Sequence, residues 1–218
     1  TGMISTMYGG TQLISGDGIG MIGTMNGGTE NVGYKGSGAI ATLNKGQQVI
    51  QPLGTGTVQT QNGGTQDIGN GGTGTVSALS AGGTQLVSGK ATNTTVYNGG
   101  LQLLVGTGYV NDSTNKFMSG ASQGLMSGAV MSGGTISQAI EGTSIGGTQL
   151  VLNGGTSIDQ TIAPTGVQKV SSGGQSLRYI LSGGQQDVSA GGVVSNGLIL
   201  SGTQNVYDGG VAEADLVT

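Results

Sequence analysis

The 218-residue sequence contains neither cysteine nor histidine. Without cysteine, no disulfide and no thiolate metal site can stabilise the fold, and the redox compartment is left open. Without histidine, the Ser-His-Asp and Cys-His catalytic arrangements and the most common metal ligand are excluded. An enzyme built on this chain would have to work with carboxylates.

Charge is also scarce. Six Lys or Arg and ten Asp or Glu give a net charge of −4. Binding to a phosphate backbone requires a basic cluster, and the sequence has none, so we expect no nucleic-acid partner. No apolar run approaches the roughly 18 residues of a membrane helix, and the N-terminus carries no charged-then-apolar signal segment. We therefore expect the chain to be an excised piece of a larger protein.

Glycine is the residue in excess, at 49 of 218 positions. Glycine tracts of this kind are typical of flexible linkers. Here, however, they recur in register with "GGTQLV"-like units, each containing a Gln or a Glu. These residues stand at positions 12, 30, 48, 66, 85 and 102, and again at 149, 168, 186 and 204. The spacing within each of these two runs is 17 to 19 residues. A linker has no reason to keep such a period, which indicates a repeat architecture.

The columns inside the repeat predict a strand. Two residues after each Gln or Glu the sequence is always apolar, as at Ile68, Val87 and Val170. The residue between them varies freely, as at Asp67 and Lys169. Strand side chains alternate between faces, so the uniform column faces a core and the variable column faces water.

The same alternation places the Gln column inside. A buried amide is costly unless its donor and acceptor both find partners. Amides stacked one strand spacing apart, about 4.8 Å, can bond to each other. We therefore predict an internal Gln ladder, which Glu30 interrupts because it brings no donor; the alternative is that each Gln sits at a bend and reaches water. The predicted ladder comprises Gln12, Gln48, Gln66, Gln85, Gln102, Gln149, Gln168, Gln186 and Gln204.

A second apolar group follows about ten residues after each Gln, with Gly, Asn, Asp and Ser in between. Its members are Ile22, Ile40, Val58, Val76 and Val96, then Leu177 with Ile180 and Leu198 with Leu200. The intervening residues accept tight turns and positive φ. Each unit is therefore two or three short strands, and stacked units bury a shared core. The predicted fold is all-β, a single parallel β-solenoid over residues 1–218 with about 12 coils of roughly 18–19 residues.

The period breaks down between 106 and 145. We expect irregular coils there, with a loop at 109–117, "YVNDSTNKF", pushed out from the rod. Loops on rigid scaffolds often carry function. Tolerated length variation at an exposed corner is the plainer interpretation.

The coils of "GGTQxV" with a second Gly-rich corner and a "TxV"-like step resemble the repeats of the self-associating autotransporter adhesins, the group typified by the AIDA-type adhesin, TibA and antigen 43. The resemblance implies a right-handed parallel β-helix in the passenger region of such a protein. It further implies display on the cell surface of a Gram-negative bacterium, anchored at the outer membrane by a barrel absent from this chain. The implied roles are autoaggregation, biofilm formation and attachment to host cells, with virulence as the context.

The resemblance also implies partners. These are the same protein on neighbouring cells, a host-cell receptor and a protein heptosyltransferase that glycosylates Ser or Thr. The candidate acceptors that match the corner context are Ser80, Ser88, Ser132, Ser172, Ser182 and Ser201.

Rival functions remain open on sequence grounds. Some β-helices process polysaccharides with paired carboxylates about 5 to 9 Å apart. The repeat instead predicts that two acids lie beside bases in neighbouring coils, as outward ion pairs Lys169–Asp187 and Asp159–Arg178. We therefore expect no catalysis, no metal and no cofactor.

Two further alternative functions do not involve catalysis. The chain could be a purely structural stalk of a larger adhesin. A column of outward threonines also resembles the surface of solenoids that bind ice, although Gln47, Leu101, Val167 and Gln185 interrupt it. The column comprises Thr11, Thr29, Thr65, Thr84, Thr148 and Thr203.

Overall fold

The computed structural model describes residues 1–80, 82–106, 108–111, 116–117, 121–125, 130–132, 135–136, 147–152 and 154–218. Regular structure in this part of the chain is entirely β-strand. The first strands are β1 (Gly2–Met7), β2 (Thr11–Ile14), β3 (Ile19–Val32), β4 (Ser37–Ile50), β5 (Thr55–Gln61), β6 (Thr65–Ile68), β7 (Thr73–Leu79), β8 (Thr84–Val87) and β9 (Lys90–Thr92). They are followed by β10 (Thr95–Val96), β11 (Leu101–Leu104), β12 (Tyr109–Asn111), β13 (Lys116–Phe117), β14 (Ser122–Leu125), β15 (Val130–Ser132), β16 (Thr135–Ile136) and β17 (Thr148–Val151). The last are β18 (Thr156–Ile158), β19 (Thr161–Ile162), β20 (Val167–Val170), β21 (Gln175–Leu177), β22 (Ile180–Val188), β23 (Val193–Ser195), β24 (Leu198–Val206), β25 (Val211–Glu213) and β26 (Leu216–Val217).

Each turn of the chain contributes one segment to each of three parallel faces. Strands β17, β18 and β19 make one such turn, and each pairs in parallel with its counterpart in the next turn, β20, β21 and β22. We call the side that carries the predicted Gln strands face 1, and the two sides that follow it along the chain face 2 and face 3. In the N-terminal turns a strand runs across a corner without interruption, so that β7 covers faces 2 and 3.

The fold is therefore the parallel β-solenoid that the sequence predicts. The number of coils differs slightly. Face 1 has eleven strand segments from β2 to the end of β24, which makes ten complete turns between the first and the last. The sequence predicts about twelve, because irregular coils are also expected between 106 and 145. The turns are longer there. Gln102 is the register partner of Gln123 in the next turn, and Gln123 is the register partner of Gln149 in the turn after that.

The core column on face 1 is as predicted except in the last turn, where Val206 is 46% exposed. Ile68, Val87 and Val170 are 0% exposed, whereas Lys169 is exposed and Asp67 is half-buried. A strand alternates its side chains strictly, so one correctly placed column fixes the other.

Face 2 of the N-terminal turns has glycine on its inner side. A β-carbon added at Gly74 would stand 2.6 Å from Ile68 Cγ1 and 2.9 Å from Gln66 Oε1. Glycine is required here because the large Ile and Gln side chains of face 1 fill the interior. Where face 1 carries the smaller Val87, the next residue on face 2 is Ala91, which is also buried.

The corner between faces 2 and 3 changes its form after Leu79. In β7 the inward Val76 is followed by the outward Ser77. One turn later Asn93 adopts φ +51° and is exposed, while Thr94 turns inward and is 0% exposed. Later turns keep this second form, with positive φ at Asp159, Arg178, Asn196 and Ala214.

This change corrects the predicted second apolar group. Its members up to Val96 are buried, but Ile180 is 37% and Leu200 is 49% exposed, and Leu177 is half-buried. Buried instead are Tyr179 and Leu181. A residue with positive φ at the corner shifts the alternation by one position, so the side chains that follow exchange faces.

The region from 106 to 145 is described only in part. Tyr109–Asn111 and Lys116–Phe117 are strands at the two flanks of the loop predicted at 109–117. Residues 112–115 lie outside the described residues. Across the described part of the chain, no helix is long and apolar enough to cross a bilayer.

Candidate functional site

A continuous ladder of side-chain amides runs through the interior behind face 1. Each Gln Nε2 donates a hydrogen bond to the side-chain oxygen of the residue one turn earlier, at 2.6 to 3.0 Å, from Gln48 on Glu30 to Gln204 on Gln186. Amides from Gln48 to Gln186 are buried. The parallel in-register stacking places successive amides one strand spacing apart, so each finds a partner where no water reaches.

The ladder contains one residue that the repeat spacing does not reveal. Gln123 bridges Gln102 and Gln149, accepting from Gln149 and donating to Gln102 at 2.7 Å in both bonds. The period hides it, because its spacings to these neighbours are 21 and 26 residues. The apolar Leu125 two positions later is the available signal.

At its C-terminal end the ladder meets a polar cluster on Tyr179. The Tyr179 hydroxyl donates to Asp215 Oδ2 and accepts from Gln204 Nε2, in two short contacts. Gln204 also reaches Asp215 Oδ2 at 2.8 Å, and the backbone N–H of Gly197 donates to Asp215 Oδ1 at 2.8 Å. Burial, reinforced by the neighbouring Asp215 carboxylate, raises the pKa of the Tyr179 phenol well above its usual range. The hydroxyl therefore stays protonated and acts as a structural donor.

One of the two predicted ion pairs is formed as a two-bond contact. Arg178 Nε donates to Asp159 Oδ1 at 2.8 Å, and Nη2 donates to Oδ2 at 2.9 Å. The Arg178 hydrogen bonds hold the pKa of the Asp159 carboxyl below its usual range. Both side chains are about half exposed, at 59% and 48%, so the contact contributes little to stability.

The second predicted pair has different partners. Lys169 and Asp187 are register partners in neighbouring turns. The Asp187 carboxylate, however, accepts from Gln185 Nε2 at 2.9 and 3.0 Å and from Asn205 Nδ2 at 2.9 Å. Within the described residues, the salt bridge present is that of Arg178 with Asp159.

A short ladder of polar side chains also runs along the outside, at the corner between faces 3 and 1. Asn44 Nδ2 donates to Asn26 Oδ1 at 2.9 Å, and Asn62 Nδ2 donates to Asn44 Oδ1 at 3.2 Å. Ser80 continues it with a 3.4 Å contact to Asn62 Oδ1. The corner is tight at Gly64, which has φ +68° and where an added β-carbon would stand 2.6 Å from the Gly46 carbonyl oxygen.

The N-terminal turns carry an apolar groove on face 2. Its volume is about 580 Å³, and its lining includes Met3, Met21, Ala39 and Ala41, with Gln59 at the polar end. Met3 and Met21 are 80% and 47% exposed. The small residues at the corner leave room beside the methionines, and the lining contains no charged residue.

The candidate sugar acceptors fall on two corners of the rod. Ser80, Ser182 and Ser201 lie where face 3 leads into face 1, and Ser88 and Ser172 lie where face 1 leads into face 2. Ser172 and Ser201 are exposed, and the other three are half-buried. The side chain of Ser132 lies outside the described part of the chain. The outward Thr column of face 1 is at least partly exposed along its length, from Thr11 to Thr203.

The surroundings of Asp159, Asp187 and Glu30 bear on the polysaccharide-processing alternative. Arg178 lowers the pKa of Asp159, whereas the general acid of a glycosidase needs a raised pKa. The Asp187 carboxylate is hydrogen-bonded by the amides of Gln185 and Asn205. Burial raises the pKa of Glu30, but this residue is 0% exposed and no substrate can reach it. No group of three or more potential metal ligands of the His, Cys, Asp or Glu type occurs among the residues described.

No family model and no curated protein matches this sequence. Among solved structures, the chain is similar to a crystal structure of a TibC-catalysed, hyper-glycosylated TibA fragment, with a TM-score of 0.81 and 26% sequence identity. The similarity covers 98% of this chain and 81% of that one. The likeness therefore extends over the whole solenoid rather than over a few turns.

Proposed function

We propose that the chain is a segment of a surface-exposed bacterial adhesin of the TibA and AIDA type, and that it mediates self-association of cells through the side of the rod. The observation that carries the proposal is the similarity to the TibA fragment over 98% of the chain. The surface supports it, because polar uncharged side chains repeat along the rod and charge is scarce. Two copies can therefore approach side by side with little repulsion.

The contact between a single pair of rods is weak. Each neutral hydrogen bond contributes only about 0.5 to 1.5 kcal/mol net, and association also costs translational and rotational freedom. Many rods on one cell face many on the next, and the high effective concentration converts weak pairs into firm clumping. Because few charges take part, added salt should weaken the clumping only slightly.

Biofilm formation and attachment to a host-cell receptor are the proposed consequences of surface display. The rod would be held at the outer membrane of a Gram-negative bacterium by a part of the protein outside this sequence. A protein heptosyltransferase is the proposed modifying partner, because the similar TibA fragment is glycosylated by TibC. Of the five candidates whose side chains the structure describes, Ser172 and Ser201 are the exposed ones.

The test of self-association displays the segment on non-clumping bacteria and changes one face at a time. Two matched triple variants place lysines along the rod at corresponding heights. One changes Thr24, Thr42 and Thr60 on face 3, and the other changes Thr29, Gln47 and Thr65 on face 1 in the same three turns. Circular dichroism confirms that each variant keeps its fold. Loss of cell settling in one variant and not in the other would identify the contacting face.

Clumping that survives both triple variants and deletion of the whole segment would reject self-association. The segment would then be a stalk or would bind a host ligand. Modification is tested separately by co-expression with TibC. The intact mass should rise in steps of one heptose, and fewer steps are expected after Ser172→Ala with Ser201→Ala.

A further inference from the structure

The internal ladder changes chemistry at Glu30. Glu30 Oε2 accepts the Gln48 amide at 2.6 Å, as each Gln Oε1 accepts from the turn that follows. Glu30 Oε2 also occupies the position that Gln48 Oε1 has one turn later. A β-carbon added at Gly38 would stand 2.7 Å from Glu30 Oε2, and one added at Gly56 would stand 2.8 Å from Gln48 Oε1. Glu30 Oε2 thus replaces the acceptor of the ladder.

Glu30 Oε1 consequently replaces the donor. In every later turn the atom at this place is Nε2, which donates to the oxygen one turn earlier. The residue one turn earlier is Gln12, the register partner of Glu30. Gln12 Oε1 has the usual acceptor position, 3.1 Å from a β-carbon added at Gly20. Both Glu30 Oε1 and Gln12 Oε1 are buried and have no hydrogen-bond partner.

Two buried acceptor oxygens thus belong to register partners in neighbouring turns, and each would cost free energy if left unpaired. A hydrogen between them satisfies both. We propose that Glu30 is a protonated carboxylic acid whose Oε1 hydroxyl donates to Gln12 Oε1, so that a single proton joins the first turn to the ladder.

The surroundings favour the neutral acid. The Glu30 carboxyl group has Gln12 and Gln48 as its register partners in the two neighbouring turns and Gly38 opposite, none of them titratable or charged, and no charged group contributes to its pKa shift. Burial raises the pKa of Glu30 above its ordinary value of 4.5, and the Gln48 hydrogen bond opposes that shift only in part.

The consequence is a pH-sensitive link in the fold. Because the pKa of Glu30 is higher in the folded chain, the folded state binds the extra proton between 4.5 and the raised value. The stabilisation is complete below 4.5 and is lost as the pH rises through the folded pKa. Deprotonation then places an unpaired charge beside Gln12 Oε1 and loosens the turn formed by β1 and β2.

The experiment labels glutamate carboxyl carbons with ¹³C and follows them by NMR during a pH titration of the full chain. The sequence has three glutamates, Glu30, Glu141 and Glu213, so the signal that Glu30→Gln removes belongs to Glu30. We expect its titration midpoint to lie above 4.5. A midpoint at or below 4.5 would overturn the proposal, as would a midpoint that depends on whether sodium or potassium is the cation present, because a bound ion would then replace the proton.

Stability gives an independent readout. Glu30→Gln supplies a permanent Nε2 donor of nearly the same shape, so it should fold and should raise the melting temperature relative to wild type at neutral pH. The difference should shrink as the pH falls from neutral through the raised pKa towards 4.5, and it should stay small and constant below 4.5. The control is Asp17→Asn, the same chemical change at an exposed acid of the neighbouring corner. A Glu30→Gln difference that is independent of pH, or that matches the control, would contradict the proton link.

Discussion

The ring of Tyr179 lies directly against the backbone of Gly197, one turn later in the solenoid, so that a β-carbon at 197 would overlap the ring atoms. Among the residues whose side chains the structure describes, Tyr179 is the largest that is fully buried. The backbone of Gly197 also donates to Asp215, so the glycine can retreat only by breaking that bond.

Gly197→Ala should therefore destabilise the protein by about 1 to 3 kcal/mol through overpacking. The measurement is chemical denaturation with the unfolding midpoint as readout. Gly9→Ala is the matched control, because an added β-carbon meets nothing within 4 Å there. Tyr179→Ala in the same chain should remove most of the Gly197→Ala penalty, and an undiminished penalty would show that the ring is not its cause.

Tyr179 should not titrate with the other tyrosines. Burial and the neighbouring Asp215 raise its pKa well above the value near 10 of an ordinary phenol. An alkaline ultraviolet titration of the folded protein should therefore give the same phenolate increase near pH 10 in wild type and in Tyr179→Phe. Because the folded pKa lies above the unfolded one, stability should fall as the pH rises beyond about 10. A smaller increase in the variant would mean that Tyr179 ionises normally.

Removing one amide from the middle of the ladder should cost more than its single net hydrogen bond. Gln66→Leu leaves Gln48 Oε1 and Gln85 Nε2 without their partners. A buried unsatisfied polar group costs about 1 to 3 kcal/mol, so the two groups together should cost about 2 to 6 kcal/mol in urea denaturation. The outward neighbour provides the comparison, since Asp67→Asn should change stability by no more than about 0.5 kcal/mol. Similar losses in the two variants would mean that the amides contribute nothing specific.

The Asp159–Arg178 contact should be visible in a titration rather than in overall stability. The lowered pKa of Asp159 means that the contact stabilises the fold above about pH 3.8 and is lost as the pH falls through the lowered value. Arg178→Gln should return the NMR titration midpoint of Asp159 toward 3.8. Arg178→Lys, which keeps the charge but loses the two-bond geometry, should give an intermediate midpoint. An unchanged midpoint in Arg178→Gln would contradict the pairing.

The sequence by itself determined the repeat, the parallel strands and the inside and outside of face 1. It could do so because side chains in a strand alternate with period two and stacked turns place equivalent residues in one column. One buried column, that of Val87 and Val170, therefore fixed the side on which the Gln residues lie. The same register placed Arg178 beside Asp159.

Only the tertiary structure decided what happens at the corners and along the outer surface. Positive φ at Asn93, Arg178 and Ala214 shifts the alternation, and this brings Tyr179 inside and leaves Ile180 partly outside. Asn tolerates this conformation and could have given a signal, but Arg and Ala give none. The amide partners of Asp187 were also beyond the sequence, because several side chains lie within reach of one exposed carboxylate and their relative geometry selects among them.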